Sequence, residues 1–242
     1  MNDPGRSILE FLGVVDGERK RRMNDAALDQ AVVALKRYQQ ARFVRTHTDL
    51  LAHTRFGPAA RFFLDELYGP QDFSLRDAQF GRIVPAVVGL FPRDIVCTVV
   101  LLAELHALSE RLDSAMAAAI GAGTLNREAY VRAWQAVGDA AGRSRQLALV
   151  MEVGLALDRH TRSLLLRASL KAMRTPSRAA GLGELQGFLE IGFEAFAAMK
   201  GAQDFLDTVA LREGALVRRL FEPGAQAAAS APDIDDILRQ LP

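Results

Sequence analysis

Four side chains in this 242-residue chain could do chemistry because of where the apolar pattern puts them. In the apolar stretch that opens at Pro92, Leu101, Leu105, Leu108 and Leu112 form a helical stripe. Glu104 and His106 fall about 100° to either side of it. Glu152 lies among Ala148, Leu149, Leu155 and Ala156. Glu213 falls between Leu206, Val209, Leu216 and Leu220, in the middle of a stripe, and is the sharpest anomaly. A carboxylate taken out of water needs a cation or must stay neutral. Such groups are candidates for polar contacts in a binding site, or for a general base. The plainer reading is an ion pair with one of the 26 arginines.

A fifth candidate is the segment from residue 61 to 77, where Phe62, Phe63 and Tyr68 precede a Gly-Pro turn and Arg61 and Arg76 flank it. Arg82 follows one and a half turns after Arg76. The functional reading is a polar pocket at a helix–helix corner, with Arg61, Arg76 or Arg82 binding an anion. In the structural alternative, Phe62, Phe63, Leu67 and Phe73 anchor the corner while Asp65, Asp72 and Asp77 cap and pair.

Other chemistries lack their signatures. The chain contains no Glu-x-x-His, no His-Glu-x-x-His, no Gly-x-Ser-x-Gly and no phosphate loop. His106 and Glu110 share a helix face but need a third metal ligand from elsewhere. His47 and His53 do not share a face, and His160 reads as a packed histidine. Cys97, the single cysteine, sits among Ile95, Val96, Val99 and Val100 and reads as a small buried hydrophobe. No metal, cofactor or catalytic residue is expected.

The elements that must position these residues are helical. Ala, Leu, Arg, Glu and Gln dominate, and no alternating β-branched run occurs. Residues 1–23 read as a loose arm carrying a basic run at 19–22. A long helix runs from Asp25 to about His53, with Leu28, Val32, Leu35, Gln39 and Phe43 on one face. Pro58 opens a second helix that stops at Tyr68-Gly69-Pro70. Ser74 and Asp77 resemble a capping box opening a third, which Pro85 should kink. A fourth runs from Pro92 to about Ile120 and ends at Gly121-Ala122-Gly123. Asn126 caps a short helix. A long one spans residues 143–173, Thr175-Pro176 restarts the chain, and further helices cover 184–200 and 203–221. Residues 223–232 read as a linker. Ile234, Ile237, Leu238 and Leu241 then form a short amphipathic segment that must dock on its own body, dock on a partner or stay disordered.

The expected architecture is one compact all-α bundle of about eight helices over residues 24–222, with an N-terminal arm (1–23) and a C-terminal tail (223–242). The balance of 30 basic against 29 acidic residues argues against nucleic-acid binding. The longest apolar run, residues 95–103, is too short for a membrane span, and no signal peptide opens the chain. A cytosolic location follows, and the Arg-rich, Ala-rich composition points to a GC-rich bacterial genome.

The 61–77 segment, with Gly192-Phe193-Glu194-Ala195-Phe196 and Gly201-Ala202-Gln203-Asp204-Phe205-Leu206, resembles a family of uncharacterised all-helical proteobacterial proteins over residues 45–222. That resemblance implies a helical domain and transfers no catalytic residues. Three functions fit. The first is a non-enzymatic protein that associates with a partner or with a second copy through residues 233–241. The second is a small-molecule binder or sensor with an apolar pocket between helices, taking an apolar or anionic ligand. The third is an enzyme with a buried carboxylate base.

Overall fold

The computed structural model describes residues 3–67, 69–121 and 123–242, with Leu67 described in its backbone alone. Among these residues there are thirteen α-helices and no strand. The all-helical expectation holds, and the count exceeds the expected eight because Pro4–Met23 and Ala225–Ala229 are helical where an arm and a linker were expected, the first expected helix divides at His47, and Ser163 caps a new helix inside the expected 143–173 span. Two residues placed at chain breaks by the sequence, Tyr68 and Ala122, lie outside the described residues, as does the Leu67 side chain.

Helix α1 is Pro4–Met23, where a loose arm was expected. Asp3 caps it by accepting from Gly5 N, and Pro4 holds its first position. Ile8, Val15 and Arg22, seven residues apart, are buried along one side. Seven residues make nearly two turns, so so sparse a stripe still points at one neighbour. Helix α2 is Ala26–Thr46, capped by Asp25, and α3 is Thr48–Ala52. Helix α4 is Gly57–Phe62 and continues into a π-helical turn, Phe63–Leu67.

Helix α5 is Ser74–Leu90. The expected capping box is not formed. Asp72 accepts from Ser74 N and Oγ at 2.9 Å each, and Asp77 is drawn to other partners. The helix runs continuously past Pro85, which is exposed, so the backbone bond that proline removes lies on the solvent side. Helix α6, Arg93–Ile120, follows Pro92 as expected. Helix α7 is Arg127–Val137, with Asn126 accepting from Ala129 N at 2.9 Å.

Helix α8 is Ala140–Thr161. The single helix expected over 143–173 is broken because Ser163 caps a new one, α9, Leu164–Ala172. Helix α10 is Arg174–Ala179, one residue before the expected Thr cap. Helices α11, Gly183–Met199, and α12, Gln203–Phe221, match the expected spans closely. The expected linker holds a short helix α13, Ala225–Ala229, whose Ala225 is fully buried.

Helix α6 is the centre of the domain, packed against α1, α2, α5, α7 and α8. Helices α4, α11 and α12 close the other side around α8. At Gly154 of α8 the approach is so tight that an added Cβ would stand 2.5 Å from Leu206 Cδ2 of α12. Two large apolar clusters result. One joins Leu28, Leu35, Met116, Val131, Trp134 and Leu220, and the other joins Phe43, Phe63, Phe196, Phe205 and Leu206.

The C-terminal segment docks on its own body. Leu238 and Leu241 are fully buried in the first cluster, though only Leu238–Gln240 is helical, as a 3-10 turn. Arg45 and Arg127 donate to Leu241 O at 2.9 and 3.0 Å, and Tyr38 Oη donates to Pro242 O at 3.2 Å. Cys97 is exposed rather than buried, because it falls between Val96 and Thr98 on the outer side of α6. We expect Leu238→Ala to lower unfolding stability by about 2–5 kcal/mol, the cost of emptying a packed leucine site. Urea titration of the variant reads this directly, and a loss below about 0.5 kcal/mol would mean that the segment does not contribute to the core.

Candidate functional site

A cavity of about 200 Å³ lies in the middle of the domain, along α6. Its α6 wall extends from Val99 to Asp113. At about 1.5 Å of rise per residue, that is a length of about 21 Å. The walls are largely apolar: Phe63, Phe73, Phe80, Leu105, Phe188 and Leu216 are typical. Polar side chains enter from the π-helical turn and from α2, α5, α6, α7, α8 and α12.

Three of the seven residues singled out from the sequence line this cavity: Arg76, His106 and Glu213. Arg76 lies over the rings of Phe73 and Phe188, at 4.0 and 4.3 Å from their centroids. It pairs with Glu66 at 3.1 Å and with Asp77 at 3.8 Å. His106 Nε2 stands 2.8 Å from Asp77 Oδ2, and Arg19 of α1 donates to the same oxygen at 2.6 Å. Thus Asp77 gathers α1, α5 and α6 at one end of the cavity. Burial would raise its carboxyl pKa, and His106 and Arg19 reverse that and hold it below the usual value.

Glu213 is the buried anomaly the sequence pointed to, and it is paired. Arg42 of α2 donates to Glu213 Oε1, and the fully buried His47 meets the same oxygen through Nε2 at 2.8 Å. Burial pushes the carboxyl up, but the charge and hydrogen bonds of Arg42 and His47 outweigh it and hold the pKa down. The plainer reading of Glu213 therefore holds.

The other four lie elsewhere. Glu104 and Glu152 meet on the outer side of α6 and α8 through Arg145, which donates to both Glu104 oxygens at 2.7 Å and to Glu152 Oε1 at 2.9 Å. They converge with each other and not with Glu213. Arg61 is exposed and donates to Leu51 O at 3.1 Å. Arg82 is exposed and donates to Ala180 O at 2.8 Å. Both donate to carbonyls, and of the three arginines only Arg76 lines the cavity.

The polar residues that sequence reasoning missed sit at the other end, on α2, α6, α7 and α8. Glu110 is buried and held by Arg22 at 2.5 Å and Lys36 at 2.7 Å. Burial raises its pKa, and the two cations overcome that and bring it to about 2. Asp113, one turn on, has no ion pair among the described residues. Gln39 Nε2 donates to its Oδ1 at 3.2 Å. Burial pushes the Asp113 carboxyl up, and Lys36 and Arg143 do not offset it. Tyr130 and Trp134 of α7 complete this end, with the Arg143 guanidinium 4.0 Å from the Trp134 ring centroid. One signal was legible: Gln39 interrupts the apolar stripe of α2, and a polar residue there needs a partner. Among the described residues no group of three or more His, Cys, Asp and Glu is arranged to hold a metal ion. Among the same residues no helix is long and apolar enough to cross a membrane.

Glu110 carries a pH dependence whose sign follows from its low pKa. The folded state favours the carboxylate, so the stabilisation is complete above about pH 4.5 and is lost as pH falls towards about 2. We expect Glu110→Gln to cost on the order of 3 kcal/mol at pH 7, because it strands Arg22 and Lys36. The gap to the parent should close as the pH approaches 2, which denaturant titrations at pH 7, 4 and 3 will read.

Neither a curated protein nor a solved structure matches the chain. Residues 18–227, most of the chain, match the family described as a domain of unknown function, DUF8198, and include all of α2–α12. The chain belongs to that family.

Proposed function

We propose that this domain binds a small molecule in the cavity along α6. One observation carries the reading: an apolar-walled space of about 200 Å³ in the middle of the helices, with polar side chains entering at both ends. Cores ordinarily close such spaces, because each unfilled volume forfeits dispersion contacts. Pockets that bind ligands combine apolar walls with a few placed polar groups. Glu66, Asp77, Glu110 and Glu213 are all committed to cations, which makes them scaffolding and gives no support to a carboxylate general base.

The association reading rested on residues 233–241 being able to detach. Leu238 and Leu241 occupy the domain's own core, so that segment has no spare apolar stripe to offer a groove. The binding reading is accordingly the stronger of the two.

Native mass spectrometry of the purified protein tests it. The expected result is a mass excess that disappears on denaturation. Ala103→Leu, which adds three carbons to a buried cavity wall, should abolish that excess while costing about 1–3 kcal/mol of stability. A bare polypeptide mass in both proteins, together with no uptake of added amphiphiles, would overturn the proposal.

A further inference from the structure

The α7 end of the cavity differs from the rest in the state of its polar atoms. Trp134 is 6% exposed and lines the cavity, and its indole N–H is buried with no hydrogen-bond partner. Tyr130 is 2% exposed and its hydroxyl makes no hydrogen bond among the described residues. Asp113 is 8% exposed, and only its Oδ1 is engaged, by Gln39. These three residues share one neighbourhood. The Tyr130 and Trp134 ring centroids are 5.9 Å apart, and Asp113 lines the same cavity. A buried donor left without an acceptor costs about 1–3 kcal/mol, so a donor and two further polar groups idle at one place call for an occupant.

The charges around this end say what that occupant is. Lys36 is committed to Glu110 and Arg42 to Glu213. A ligand carboxylate would meet Glu110 and Asp113, and a ligand ammonium would meet Lys36 and Arg143. A ligand charge buried without a partner is expensive. A hydroxyl or carbonyl on an apolar body carries no such cost. It can accept from the Trp134 N–H, and a hydroxyl can donate to Asp113 Oδ2.

We infer that the cavity selects an uncharged amphipathic molecule, with a hydroxyl or carbonyl group held at the α7 end by Trp134, Tyr130 and Asp113 and its apolar body lying along α6 towards Phe80 and Phe188. This inference rests on the binding function proposed above and adds the ligand's chemical class. It keeps the apolar alternative and departs from an anion bound by Arg61, Arg76 or Arg82, because Arg61 and Arg82 donate to carbonyls and Arg76 is already paired.

Trp134 is the single tryptophan of the chain, so its fluorescence reports on the site without a label. The test compares octanol, octanoate and octylamine at pH 7, three probes with one apolar body and different head groups. Octanol is expected to shift the Trp134 emission saturably, with the two charged probes at least about tenfold weaker, the ratio that 1.4 kcal/mol produces. Calorimetry then compares the parent with Trp134→Phe, which keeps a ring and deletes the N–H, and with Asp113→Asn, which keeps the shape. Each variant is expected to bind octanol about three- to tenfold more weakly, the effect of losing one neutral hydrogen bond. Equal binding of all three probes, or preference for a charged one, overturns the selectivity and leaves the binding function standing. Saturable octanol binding that neither variant changes overturns the assignment of the α7 end. Failure of all three probes to bind overturns both proposals.

Discussion

Charge buried in the middle of a helical domain must be compensated, and that requirement organises this structure. Glu110 and Glu213 lie inside, where an unpaired carboxylate would be costly. Each is answered from α2, by Lys36 and by Arg42; Glu110 also draws in Arg22 of α1, and Glu213 also meets His47 at the end of α2. The ion pairs therefore dictate which helices meet and in what register. Asp77 does the same at the other end, gathering Arg19 and His106. The cavity is the space left between helices held at set distances by these pairs.

This constraint also explains the N-terminal helix. Its apolar content is thin, with Ile8 and Val15 fully buried and Phe11 and Leu12 partly so. Its docking on α6 and α5 is completed by Arg19 and Arg22, members of a basic run that reads as surface charge when taken by itself. Mean hydropathy cannot register a helix that packs partly through arginine, since the long aliphatic stem buries while the guanidinium finds a partner.

The division between paired and idle polar groups separates scaffold from candidate site. Glu104, Glu110, Glu213 and Asp77 have cations on other helices and hold helices together, and Glu152 is paired within α8. The unengaged atoms, the Trp134 indole N–H, the Tyr130 hydroxyl and Asp113 Oδ2, cluster on α6 and α7, while Asp113 uses its other oxygen to accept from Gln39 of α2. A partner for them has to come from outside the chain, which is the physical content of the binding proposal.

Local sequence determined the all-helical class and many helix boundaries, because capping and helix-breaking act within a few residues. Asn126 caps its helix as the sequence predicts, Asp25 caps α2 where the sequence placed a helix start, and Pro92 and Gly201 mark breaks where chain stiffness or glycine freedom sets them. The buried position of Glu213 was legible too, since a carboxylate inside an apolar stripe faces the core whatever the fold. Its partners were not, because Arg42 is 171 residues away and 26 arginines offered themselves. The cavity was likewise illegible. Asp113, Tyr130 and Trp134 have ordinary local patterns, and their idle polar atoms exist only once α2, α6, α7 and α8 are packed. Periodicity states which face a residue takes on its own helix, and only the tertiary arrangement decides what that face meets.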